Sequence, residues 1–171
     1  LTGINGKFDS THLTNMEGMF ANDAAFAISN LTSFMNKLDT SNVTNISHLF
    51  ENCSALTVIP EKLLPAEELA ENCYYNMFCD CENLTYAPDL PAKQLCYGCY
   101  TSMFSGCQNL SRIKVSFTEW GNGQNYETSW FLPSEINDTL MLFCPSALDT
   151  VSRGKNCIPE GLSVNTTYFS E

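Results

Sequence analysis

The sequence predicts an α/β solenoid with short parallel strands on a concave face, helical turns or short helices on the convex side, and an irregular C-terminal cap. Three observations lead there. An apolar triplet recurs four times with its spacing intact, as Met16/Met19/Phe20, Ile46/Leu49/Phe50, Tyr74/Met77/Phe78 and Tyr100/Met103/Phe104. The anchor phenylalanines lie 30, 28 and 26 residues apart, so one supersecondary unit has been copied while its connecting loop changed length. The residues after each anchor also keep register, with Asn22, Asn52, Asp80 or Gly106 two positions on and Phe26, Leu56, Leu84 or Leu110 six positions on.

The triplet has the i, i+3, i+4 spacing of one apolar face of a helical turn. Asn, Asp and Gly tolerate the left-handed conformation that ends a helix, so the residue two past each anchor is expected to close that turn. Five residues before the anchors stand Asn15, Asn45, Cys73 and Cys99, small side chains able to hydrogen-bond backbone at a turn. Three residues after them come Asp23, Cys53, Cys81 and Cys107, and the first copy, with Asp23 and Ala25, is the most worn and is expected to form an edge.

Beyond the fourth anchor, Leu110-x-x-Ile113-x-Val115-x-Phe117 ends in the period-2 alternation of a half-buried strand, and Leu56-x-x-Ile59 and Leu84-x-x-Ala87 are shorter versions of it. Leu1-x-x-Ile4 matches the same strand, which is expected to belong to a unit whose helical turn is missing, as in an excised or processed piece. The segment before the triplet exists in two forms. Copies one and two are polar, with Thr14-x-x-Glu17 available as a capping box. Copies three and four read Leu64-Pro65-Ala66-Glu67-Glu68-Leu69 and Leu90-Pro91-Ala92-Lys93-Gln94-Leu95, where a proline followed by helix formers suggests a short convex helix. One such unit leaves its apolar side wet, and stacking covers it.

The stretches LDTSNVTNISHLFENCSAL and LPAKQLCYGCYTSMFSGCQNL resemble two subtypes of the BspA-like leucine-rich repeats of bacterial surface proteins, the second common in gut anaerobes. The resemblance covers residues 1 to about 117, read as a repeat solenoid of about four units with the first one partial. It implies a curved stack, export to the cell surface and, in some members, adhesion to host matrix proteins or other cells. Residues 118–171 break the period and are expected to cap the same domain. FCPSALDTVSRGKNCIPEGLSV resembles the tail that closes such arrays, with Leu162 where the family tends to have Trp. Leu140 to Pro145 forms an apolar strand able to extend the sheet by one or two places, and Trp120 and Trp130 are candidates to seal the last core layer.

With 171 residues, 44% of them hydrophobic, the chain is long enough for one continuous core. Eight Lys and Arg stand against 19 Asp and Glu, a net charge of -11, which argues against nucleic acid or anionic membrane as a partner. No apolar run reaches the roughly 18 residues of a membrane span, and any export or lipid signal is expected to have been removed before Leu1. Nine cysteines is an odd number, and five of them occupy repeat positions. At a helix-to-helix spacing of about 10 Å, equivalent cysteines would be too far apart to bridge, so the thiols are expected to be free and buried as small hydrophobes. Cys79-Asp80-Cys81 and Cys96-Tyr97-Gly98-Cys99 invite a metal or redox reading, but His12 and His48 share no repeat position and the acidic chain offers little to activate a thiolate. Packing is the favoured role, with no metal and no cofactor. Eight N-x-Ser/Thr triplets occur, of which Asn83 and Asn109 share a repeat position and follow from the repeat itself.

No Gly-rich phosphate loop, nucleophile elbow or HExxH is present, so a non-enzymatic binding module is expected. Its partner would be a protein of a host or neighbouring cell, bound by a monomer on the concave sheet. The outward strand positions are expected to be Val58 and Pro60, Tyr86 and Pro88, and Arg112 and Lys114, with Val58, Tyr86, Arg112 and Lys114 as the candidate contact residues. A structural spacer on the cell envelope and a glycan-binding module are the alternatives. The glycan reading needs aromatic side chains aligned on the exposed sheet.

Overall fold

The computed structural model describes residues 12–27, 29, 43–120, 136–154 and 157–167. The alternating apolar runs form four strands: β1 (Tyr86–Leu90), β2 (Arg112–Val115), β3 (Met141–Phe143) and β4 (Ser163–Asn165). They pair in chain order into one parallel sheet, and Val58 adds a parallel bridge to Tyr86 ahead of it. Both C-terminal strands therefore continue the sheet begun by the repeats. Ile59, Ala87, Ile113 and Leu142 point inward and are at most 3% exposed. The N-terminal Leu1–Ile4 strand lies outside the described residues.

The opposite side departs from expectation, because the apolar triplets do not form helical turns. They lie in chains of overlapping four-residue β-turns. In the first unit the N–H groups of Met19, Ala21 and Asp23 donate to the carbonyls of Met16, Gly18 and Phe20 within the layer. The intervening N–H groups, of Met16, Gly18, Phe20 and Asn22, leave the layer and donate to Asn45, Ser47, Leu49 and Glu51 at 2.8–3.0 Å. The second unit repeats this onto Cys73, Tyr75, Met77 and Cys79, and the third onto Tyr97, Cys99, Thr101, Met103 and Ser105. A helix would have sent every amide to its own fourth-previous carbonyl. Here half of them join adjacent layers, so the turn side is hydrogen-bonded between layers as the sheet is.

Left-handed residues are what make such turns close. The third position of a type II turn needs positive φ, and it is supplied by Gly18, His48, Asn76 and Ser102 (φ 60, 56, 53 and 50) before the anchor and by Asn22, Asn52, Asp80 and Gly106 (φ 63, 57, 58 and 75) after it. The residues expected to end helices do take the left-handed conformation, but as turn residues inside a continuing chain. The Thr14–Glu17 capping box is absent too, since the Glu17 N–H donates to Asn15 Oδ1 at 2.8 Å. Nor do Leu64–Leu69 and Leu90–Leu95 form helices. Six residues give too few internal hydrogen bonds to offset helix nucleation, and both segments cross from the sheet to the turn side.

Close layers put like side chains on top of one another. Phe20, Phe50, Phe78 and Phe104 form one column with ring centroids 5.8, 5.6 and 5.8 Å apart and interplanar angles of 13° or less. Tyr74 and Tyr100 stack beside it at 5.7 Å. Phe26, Leu56, Leu84 and Leu110 complete the same elongated core, all at most 3% exposed. Met19 is 40% exposed whereas Leu49, Met77 and Met103 are buried, which marks the first unit as an edge of the described stack. At the other end Trp120 packs edge-on against Phe117 at 5.2 Å and donates from Nε1 to the Asp149 carbonyl at 2.7 Å. Trp130 lies outside the described residues.

Truncating Phe78 to Ala should open a cavity between two stacked neighbours and cost about 3–5 kcal/mol in denaturant unfolding. Gly106→Ala should cost about 2 kcal/mol. Its φ is +75, and a Cβ there would meet Asp80 Oδ1 at 2.1 Å and the Asp80 backbone at 3.0 Å. Denaturant midpoints of the two variants measure both effects.

Candidate functional site

The outer face of the sheet is built from the strand residues that alternate away from the core. Register places Tyr86 beside Arg112, Arg112 beside Met141 and Met141 beside Ser163, with Val58 bridged to Tyr86 at the other end. A second row holds Asp89, Lys114, Phe143 and Asn165. The four residues singled out from sequence, Val58, Tyr86, Arg112 and Lys114, thus share one surface, of which Val58 and Tyr86 are 41% and 48% exposed.

Pro88 does not join them. β1 carries an irregularity between Tyr86 and Asp89, where three residues of β1 run opposite two of β2. The extra residue turns Pro88 into the core and brings Asp89 outward, because side chains swap faces when the count slips by one. Period-2 reading could not have located the slip.

Asp89 changes the electrostatics of the face. Lys114 Nζ lies 2.6 Å from Asp89 Oδ2, and Arg112 reaches Asp89 Oδ1 at 3.4 Å and Glu61 Oε1 at 2.9 Å. The Arg112 hydrogen bond and charge hold the Glu61 carboxyl below the usual carboxylate range. Arg112 also sits over the Phe143 ring, 5.7 Å from its centroid. The two cations are therefore oriented and charge-compensated. The acid partners fall outside the repeat positions used to choose the candidates, and charge alternation between Glu61, Asp89 and the next strand was the available signal.

The cysteines form an internal ladder. Cys53, Cys81 and Cys107 each donate from Sγ to the anchor carbonyl of the preceding layer, Phe20, Phe50 and Phe78, at 3.1 Å. All nine thiols are free, where most were expected to be. Layers are joined by backbone hydrogen bonds, closer than the helix spacing assumed from sequence, and the thiols of Cys53, Cys81 and Cys107 are bonded to carbonyls. Burial pushes Cys53 and Cys73 up to about 11 and Cys81 and Cys99 up to about 12. The Cys96–Cys99 segment is a β-turn with Gly98 at φ +61. Among the described residues no three His, Cys, Asp or Glu side chains converge to hold a metal.

Asparagines make a parallel ladder at the surface. The side-chain amides of Asn83, Asn109 and Asn137 donate to the carbonyls of Ser54, Glu82 and Gln108 in the preceding layer at 2.8–2.9 Å. That explains why Asn-x-Ser/Thr recurs in register without reference to glycans. Sequence reading missed Asn137 as a further rung, and it missed the exposed aromatics Tyr75 and Tyr97 on the turn side.

Residues 2–85 match a family model described as "Mycoplasma protein of unknown function, DUF285". The comparison with curated proteins and that with solved structures each return no match. The matched stretch spans the first three anchors and ends just before β1. Among the described residues, no helix is long and apolar enough to cross a membrane.

The buried thiols make stability fall at alkaline pH. Their folded values lie above the ordinary 9.0, so from pH 9 to about 11–12 the unfolded chain loses protons that the folded chain keeps. Their contribution is complete below pH 9 and declines above it. Urea unfolding from pH 7 to 10.5 should show a steepening loss above pH 9, and Cys81→Ala with Cys99→Ala should flatten it.

Proposed function

We propose that this chain is a non-enzymatic binding module of the leucine-rich-repeat solenoid type, displayed on a bacterial cell surface, and that the outer sheet face contacts a protein of a host or neighbouring cell. The observation that carries the reading is the oriented group of Val58, Tyr86, Arg112 and Phe143 on a hydrogen-bonded parallel sheet. A Tyr and an Arg, held in place, are the side chains that most often dominate protein contacts, and a rigid sheet lowers the entropy lost on binding. The repeated layers and the BspA-like motifs support the architecture and the surface location. The family match adds a shared domain type and no activity.

One observation favours the spacer reading. Arg112 and Lys114 already have carboxylate partners, so neither offers an unbalanced positive charge to attract an acidic protein. A glycan platform draws less support, because Tyr86 is the one exposed aromatic of the sheet rows among the described residues.

A panel of immobilised extracellular-matrix proteins and intact bacteria tests the proposal. The wild-type chain should bind one of them saturably, and Tyr86→Ala with Arg112→Ala should weaken capture at least tenfold with unchanged unfolding. Equal capture by the double variant would remove the sheet face, and no capture on any surface would leave the spacer as the better reading.

A further inference from the structure

The position four residues before each anchor is Met16, Ile46, Tyr74 and Tyr100. In the last two layers it holds a stacked pair of phenol rings, 5.7 Å apart and 14° from parallel. One layer earlier the ring is replaced by Ile46, whose side chain is much smaller and only half-buried. A cavity of about 390 Å³ opens beside it, lined by Ile46, Leu49, Leu63, Leu64, Tyr74 and Glu68 among others. The Tyr74 side chain, 6% exposed, borders this space and carries a hydroxyl. Burial raises that hydroxyl well above its ordinary value, so it is a neutral donor at physiological pH.

We propose that this cavity is a binding site for a small neutral aromatic molecule of one or two rings carrying a hydrogen-bonding group, which stacks on Tyr74 and so continues the interrupted ring column. Its size lies in the range of small-molecule sites, with a mostly apolar wall and few polar groups. An aromatic ring fits because the neighbouring layers show a ring on Tyr74 at a favourable offset distance. The Tyr74 hydroxyl supplies the polar contact. Glu68 at the wall and the net charge of -11 disfavour anions. The site is separate from the sheet face and does not depend on the role proposed there.

Indole and phenol are the probes, with toluene as the apolar control and benzoate as the anionic one, followed by calorimetry and by tyrosine and methyl shifts in NMR of the whole chain. Wild type should bind indole and phenol saturably at one site and exclude benzoate. Ile46→Tyr, which supplies the missing ring, should abolish binding and raise the melting temperature. Tyr74→Phe should weaken phenol at least fivefold and leave toluene unchanged, so the proposal stays testable should Ile46→Tyr not fold. Absence of saturable binding by the folded wild type, or phenol binding that survives Tyr74→Phe undiminished, overturns it.

Discussion

The structure depends on a backbone that divides its hydrogen bonds between two directions. On the turn side, alternate amides close turns within a layer and the remainder reach the carbonyls of the next layer. Buried peptide groups must be satisfied somewhere, and this division satisfies them without a helix. Because the opposite side is a parallel sheet, successive layers are tied on both flanks. The wide spacing that a column of helices would impose on one flank is absent, because backbone hydrogen bonds join neighbouring layers there too.

Several features follow from that close spacing. Phenylalanines stack at 5.6–5.8 Å, a distance at which near-parallel rings gain contact with their neighbours. Cysteine suits the position three after the anchor because a short thiol reaches the carbonyl of the layer beneath while filling little volume. Asparagine suits the surface rung for the corresponding reason, with an amide long enough to reach the preceding carbonyl. The stack is therefore a set of side-chain ladders, each residue type chosen by the reach required across one layer.

Variation between layers is where function can enter. On the sheet, the irregularity in β1 brings Asp89 outward and converts two cations into an oriented, neutralised group beside Phe143. Beside the ring column, the presence of Ile46 where later rungs carry Tyr leaves a gap bordered by Tyr74. Both arise from a single departure from the repeat. The regular rungs maintain stacking, and the irregular ones give the surface and core their particular chemistry.

Much of the architecture was legible in the residues themselves. Copying of the unit, the aromatic core column, the inward strand residues and the continuation of the sheet within Leu140 to Pro145 all follow from spacing and hydropathy, because burial in a stack demands the same residue at each rung. The left-handed positions after the anchors were legible as well, since Asn, Asp and Gly alone tolerate them cheaply. The conformation of the turn side was not. An i, i+3, i+4 pattern fits a helical turn and a chain of β-turns equally, and what separates them is whether an amide finds its acceptor within the layer or in the adjacent one. That choice, like the slip at Pro88, the pairing of Arg112 with Glu61 and the gap beside Ile46, exists only once layers are in contact.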